Sequence, residues 1–99
     1  MKWDIQTVGF SATDELVDYA KQKTEGLMRF NDQIVGAEVY LKLVQDEKGN
    51  TKAAEIKLNI PGNDIYADSQ NESFERSINE SVDKLAAQLR KIKTKMQSR

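Results

Sequence analysis

Lys84, Arg90, Lys91, Lys93, Lys95 and Arg99 close the chain, and no Asp or Glu stands among them. The first 83 residues hold the other nine cations and all sixteen acids, so a protein of net charge −1 is divided into parts of −7 and +6. Clustered ammonium and guanidinium groups do one kind of chemistry well: they replace the counterions of a polyanion. The residues for covalent or proton-transfer work are missing. With no His and no Cys, the chain lacks the usual base near neutral pH, a thiolate nucleophile and sulfur ligands for zinc. The scattered carboxylates read as solvated surface, so the expectation is a protein that is not an enzyme and takes no cofactor, metal or small-molecule substrate.

Chain-level properties limit the architecture that can present such a cluster. Ninety-nine residues make one domain, able to remove roughly 60–65% of its unfolded surface from water. Its 38% apolar content lies in short periodic segments, none near the run of about 18 residues a membrane helix needs. The opening MKWDIQTVGF has no continuous apolar region and no small-residue cleavage site, so a cytoplasmic location and no membrane partner are expected.

The elements follow from periodicity. Trp3, Ile5 and Thr7 alternate with Lys2, Asp4 and Gln6, the period of a half-buried strand. Ser11 or Thr13 can cap a first helix over about 13–29, with Asp14 and Glu15 in its favoured first turn. Leu16, Ala20, Thr24 and Leu27 form its narrow apolar stripe, and Gly26 weakens its end. Ala37, Val39, Leu41 and Leu43 mark a second strand; Ala54, Ile56, Leu58 and Ile60 mark a third, with a hairpin loop over 45–50 between them. IPGND makes the next turn, and a short fourth strand runs from Ile65 to Ser69.

Phe74, Ile78, Val82, Leu85, Leu89, Ile92 and Met96 recur at helical spacing, giving a second helix over about 73–96. Ser69, Asn71 and Ser73 all qualify as its cap. The order is βαβββα, an α+β fold. The long first crossover favours parallel pairing of strands 1 and 2, the two short turns make strands 2, 3 and 4 antiparallel, and both helices should cover one face of a four-stranded mixed sheet.

On this frame spacing becomes direction. Lys84, Gln88, Lys91 and Lys95 form a polar stripe beside the apolar one, while Arg90 and Lys93 lie on the opposite flank. Lys23 stands at the rim of the first helix's stripe, where it could lean towards the second helix, and Lys21 and Arg29 lie further out. Cations at a helix C-terminus gain a few tenths of a kcal/mol from the macrodipole, and a solvated basic face is the plain alternative. The dipole explains one or two cations in the last turn, not a stretch that begins at Lys84.

INESVDKLAAQLRKIKTK, residues 78–95, resembles the ribosome hibernation promoting factor family, also called ribosome-associated inhibitor or sigma-54 modulation proteins. ATDEL with Lys23 and Leu27, and IYADSQ before helix 2, agree more loosely, and the similarity covers nearly the whole chain. The resemblance implies a fold akin to double-stranded-RNA-binding domains. It implies binding of the small ribosomal subunit and its 16S rRNA, in the channel of mRNA and tRNA, with inhibition of translation in stationary phase or stress. Lys23, Lys84, Lys91, Lys93 and Lys95 match basic family positions that face ribosomal RNA, and Arg90 is an extra cation. Many relatives have Lys in place of Gly26, Arg in place of Ala87 and Asp-Met-Tyr in place of Ser73, Phe74 and Glu75, which puts those contacts in doubt here. By the same resemblance the chain is expected to be one ribosome-binding domain over 1–99, the short form without a C-terminal dimerisation domain; whether ribosomes pair into dimers stays open.

Two other classes remain: a double-stranded-RNA binder acting away from the ribosome, and a protein-interaction modulator of a transcription factor. Trp3 and Phe10 read as packing residues. Tyr19 lies at a helix rim, and Tyr40 and Tyr66 on strand faces, where packing outweighs base stacking.

Overall fold

A computed structural model of the chain describes residues 1–46 and 49–97. The order is β1 (Lys2–Val8), α1 (Asp14–Glu25), a 3₁₀ turn η1 (Gly26–Arg29), β2 (Gly36–Asp46), β3 (Gly49–Asn59), β4 (Ile65–Asn71) and α2 (Phe74–Gln97). The strands form one sheet in the order β1-β2-β3-β4. β1 pairs parallel with β2, and β2, β3 and β4 pair antiparallel. The α+β fold, the strand pairing and the single helix-covered face expected from periodicity are all present.

The register explains the burial. Val39 stands opposite both Ile5 and Ile56, and Ile56 opposite Ala67, so one apolar row crosses all four strands. Val39 and Ile56 are fully buried, together with Leu41, Leu58, Ile78 and Leu85. The alternate positions, Glu38, Tyr40, Lys42, Glu55 and Lys57, point to the uncovered face and are half-buried or exposed.

Small and hydroxyl side chains let the helices lie close. Ser77 and Ser81 of α2 donate to the β3 carbonyls of Lys52 and Ala54 at 2.6 and 2.8 Å, and both serines are fully buried. Thr24 does the same work under α1: its hydroxyl accepts from Trp3 Nε1 at 2.7 Å and donates to the Ala20 carbonyl at 2.9 Å. Those two bonds place α1 over β1. Phe10 and Phe74 stack at 4.3 Å and pin the start of α2.

Two element ends differ from the periodic reading. The first helix stops at Glu25, and Gly26–Arg29 tighten into 3₁₀ geometry. The cause is local: the Gly26 N–H donates back to both the Gln22 and Thr24 carbonyls, and glycine favours such an end over further α-helix. The hairpin strands run further than expected, pairing as far as Asp46 with Gly49, so most of the anticipated 45–50 loop is ladder. Thr13 is the α1 cap, accepting from Leu16 N at 3.1 Å, and Ser73 caps α2, accepting from Arg76 N at 3.2 Å. At 60–63 the turn closes through Asn63 N to the Ile60 carbonyl at 3.1 Å, with Gly62 at φ +89°, the left-handed position that Gly supplies after Pro in a type II turn.

Gly36 has a different reason to be glycine. A Cβ there would stand 2.7 Å from the Lys2 carbonyl oxygen, so the close start of the β1–β2 pair excludes any side chain.

Candidate nucleic-acid interface

β1, β2 and β4 run one way and β3 the other, and each helix packs back across the sheet. The two helices therefore lie parallel, and both C-termini reach the same end of the molecule. The residues after α1 confirm this: a groove of about 510 Å³ is lined by Met28–Gln33 on one side and by Leu89 and Ile92 of α2 on the other.

This end gathers the cations of two separate stretches of sequence. Lys23, Arg29, Arg90 and Lys91 are all exposed. The Arg29 and Arg90 guanidinium groups lie 5.0 and 5.1 Å from the centre of the same ring, Phe30. Lys23 Nζ lies 5.5 Å from the Tyr19 ring, on the flank of α1 away from Trp3 and so towards α2. Lys21 sits on the opposite flank, 5.7 Å from the Trp3 ring. Aromatic faces attract cations through the ring quadrupole without cancelling their charge. Glu25 and Asp32, at the end of α1 and in the segment after it, are exposed acids.

The polar stripe of α2 is on the other flank, over the free edge of β4. Lys84 Nζ donates to the Asp68 carbonyl at 2.6 Å, and Gln88 Nε2 donates to the Tyr66 carbonyl at 2.9 Å. These bonds occupy carbonyls that an edge strand would otherwise offer to a further strand. Lys84 is thus tied to a main-chain carbonyl and stays exposed. Lys91 continues the stripe one helical step on. Lys93 and Lys95 belong to α2, but their side chains lie outside the described residues, as does Arg99.

The six expected site residues do not form one compact cluster. Lys23 and Arg90 face the groove side of the helical layer, Lys84 and Lys91 the β4 side. Sequence reasoning undervalued Arg29 and missed Phe30. Their juxtaposition with Arg90 depends on how the end of α1 meets α2, which no single-helix periodicity reports.

The uncovered sheet face has the opposite character. Lys42 pairs with Glu55 at 2.9 Å and Lys57 with Asp64 at 3.8 Å. Asn59 Nδ2 donates to Glu38 Oε2 at 3.0 Å, and the Tyr66 hydroxyl donates to Asp68 Oδ2 at 3.2 Å. Partial burial, then the neighbouring charge of Glu55 and the bond to Asp68, push the Tyr66 phenol up to about 12.

Comparisons with known proteins agree on family and fold. A family model described as Sigma 54 modulation protein / S30EA ribosomal protein matches residues 3–97. The ribosome hibernation promotion factor of Deinococcus radiodurans is 35% identical over 85 residues, covering 84% of this chain and 44% of that protein. The ribosome hibernation promoting factor of Pseudomonas putida is 33% identical over 98 residues, covering 99% of this chain and 92% of that protein. The chain thus spans less than half of the first relative and nearly all of the second. Among solved structures, the N-terminal domain of Thermus thermophilus Protein Y superposes with a TM-score of 0.81 at 26% identity, covering 93% of this chain and 99% of that one.

Proposed function

This chain belongs to the Sigma 54 modulation protein / S30EA ribosomal protein family, and from that premise we propose that it is a ribosome hibernation factor. It binds the small ribosomal subunit in the channel used by mRNA and tRNA, and it silences idle ribosomes by occupying that space. The chain acts as one ribosome-binding domain in the cytoplasm. Among the described residues no helix is long and apolar enough to cross a membrane.

One observation carries the reading. Where the helices end together, Lys23, Arg29 and Arg90 lie against aromatic rings, and on the β4 flank Lys84 lies against a main-chain carbonyl, whereas Lys42 and Lys57 on the sheet are paired with carboxylates. The charged side chains replace counterions along ribosomal RNA, and the rigid four-stranded sheet behind them supplies bulk. No bond is made or broken. Contacts to phosphate set position and not sequence.

Co-sedimentation with purified small subunits tests this. Wild-type protein binds at low salt and is released as salt rises, the logarithm of affinity falling by about 0.7–0.9 per phosphate contact. Protein that stays in the light fractions at low ionic strength overturns the proposal. Migration with free duplex RNA instead of subunits favours the non-ribosomal reading.

A further inference from the structure

The groove beside Phe30 is built from more than charge. Leu89, Ile92 and Met28 supply apolar lining, Phe30 supplies a ring, and Asn31, Asp32 and Gln33 supply polar groups. Phosphate alone explains little of this. A phosphate needs neither the aliphatic floor nor the ring, and the Asp32 carboxylate repels it. An unpaired nucleobase uses every part. Its flat face stacks on an aromatic ring or a guanidinium plane, its edge carries N–H groups that a carboxylate accepts, and its flanking phosphates take the arginines.

The side chains around the groove are also arranged in advance. Arg29 and Arg90 are drawn to one ring from two different elements, so their planar groups lose less freedom when a ligand arrives. Asn31 Oδ1 accepts from Gln33 N at 2.9 Å, which shapes the loop and leaves the Asn31 amide N–H₂ to donate. The volume of about 510 Å³ lies within the range of roughly 300–1,000 Å³ typical of small-ligand clefts.

We propose that the groove formed by Met28–Gln33, Leu89 and Ile92 is a subsite for one unpaired RNA base, stacked at Phe30 and its arginines, with Arg29 and Arg90 contacting the adjoining phosphates. This rests on the ribosomal reading above and deepens it: the protein grips a splayed nucleotide as well as a backbone. Asp32 favours a base that presents N–H donors on its pairing edge.

The test separates stacking from charge. Phe30→Leu keeps an apolar side chain but loses the ring; its affinity for purified small subunits should fall about five- to hundredfold with the salt slope unchanged. Phe30→Tyr should restore binding. Arg29→Gln and Arg90→Gln should each flatten the slope by about 0.7–0.9. Chemical probing of the bound subunit should show one unpaired base protected by wild type and exposed by Phe30→Leu, with other protections kept. Full affinity and full protection in Phe30→Leu would overturn the subsite while leaving the ribosomal reading intact. Should wild type ignore subunits altogether, the ribosomal reading fails by itself. The groove is then judged on a single-stranded RNA octamer carrying 2-aminopurine: quenching by wild type and Phe30→Tyr supports it, and fluorescence unchanged by wild type sinks it. Thermal melts check that Phe30→Leu is folded; if it is not, the wild-type quench alone decides.

Discussion

Lys42 and Lys57 on the sheet, and Arg29 and Arg90 at the end of the helical layer, are cations in two different electrostatic settings. The sheet lysines stand among carboxylates at 2.9 and 3.8 Å, while both arginines stand over a phenyl ring. Composition cannot tell these settings apart, because it averages them to a net charge of −1. The lesson is that a net charge near zero says little about how the cations of a small protein are grouped, and grouping is what a polyanion would respond to.

The difference can be broken most directly by exchanging charge on each side in turn. Arg29→Glu with Arg90→Glu and Lys91→Glu should weaken binding to small subunits by about a hundredfold or more at moderate salt and flatten the salt slope by roughly one per residue. Lys42→Glu with Lys57→Glu should change affinity less than about threefold, since those charges are already compensated. Equal losses from the two sets, in the same sedimentation assay, would mean that the two faces do not differ in function.

A second comparison concerns what holds the charged helix to the sheet. Ser81→Val removes the donor to the buried Ala54 carbonyl and adds bulk beneath α2, and should cost about 1–3 kcal/mol in urea unfolding. Gly36→Ala should cost a similar amount, about 1–3 kcal/mol, because its methyl meets the Lys2 carbonyl at 2.7 Å. Neither change should alter the salt slope of the folded protein.

Lys84 sharpens the picture at smaller scale. Lys84→Met loses both the ammonium and its bond to the Asp68 carbonyl; stability should fall by less than about 1 kcal/mol at this exposed site, and the salt slope by about one if the ammonium also meets phosphate. Lys84→Arg should recover both readouts. A Lys84→Met protein with an unchanged slope would assign this lysine to edge cover alone.

The smallest effect is a titration on the sheet side. The Tyr66 phenol should ionise near 12 against about 10 in the unfolded chain. The folded form then keeps its proton where the unfolded form loses it. This contribution is fully present below pH 10 and is lost as pH rises through 12. Asp68→Asn should lower the Tyr66 value in a spectrophotometric titration, because it removes one of the two nearby negative charges.

How much of this was legible beforehand differs by residue. Trp3, Ile5, Val39 and Ile56 declare their faces by alternation, and the α2 stripe from Phe74 to Ile92 declares a helix, because backbone geometry ties spacing to direction. Arg90 could be placed on a flank of α2 for the same reason. Arg29 could not be ranked above Lys21: the switch from α-helix to 3₁₀ turn at Gly26 shifts its direction, and a one-residue change in rise and twist is invisible to a hydrophobic pattern.

By itself, then, the sequence determined the order of elements, the pairing of strands and which helix faces are charged, since those follow from local periodicity and short connections. Only the tertiary structure decided that both helix ends meet, that Arg29 and Arg90 share Phe30, that Lys84 and Gln88 fold over the β4 edge, and that the sheet lysines Lys42 and Lys57 pair with carboxylates. Those facts are distances between residues far apart in the chain, fixed by how closely Ser77, Ser81 and Thr24 let the helices settle on the sheet, and no periodicity within one element contains them.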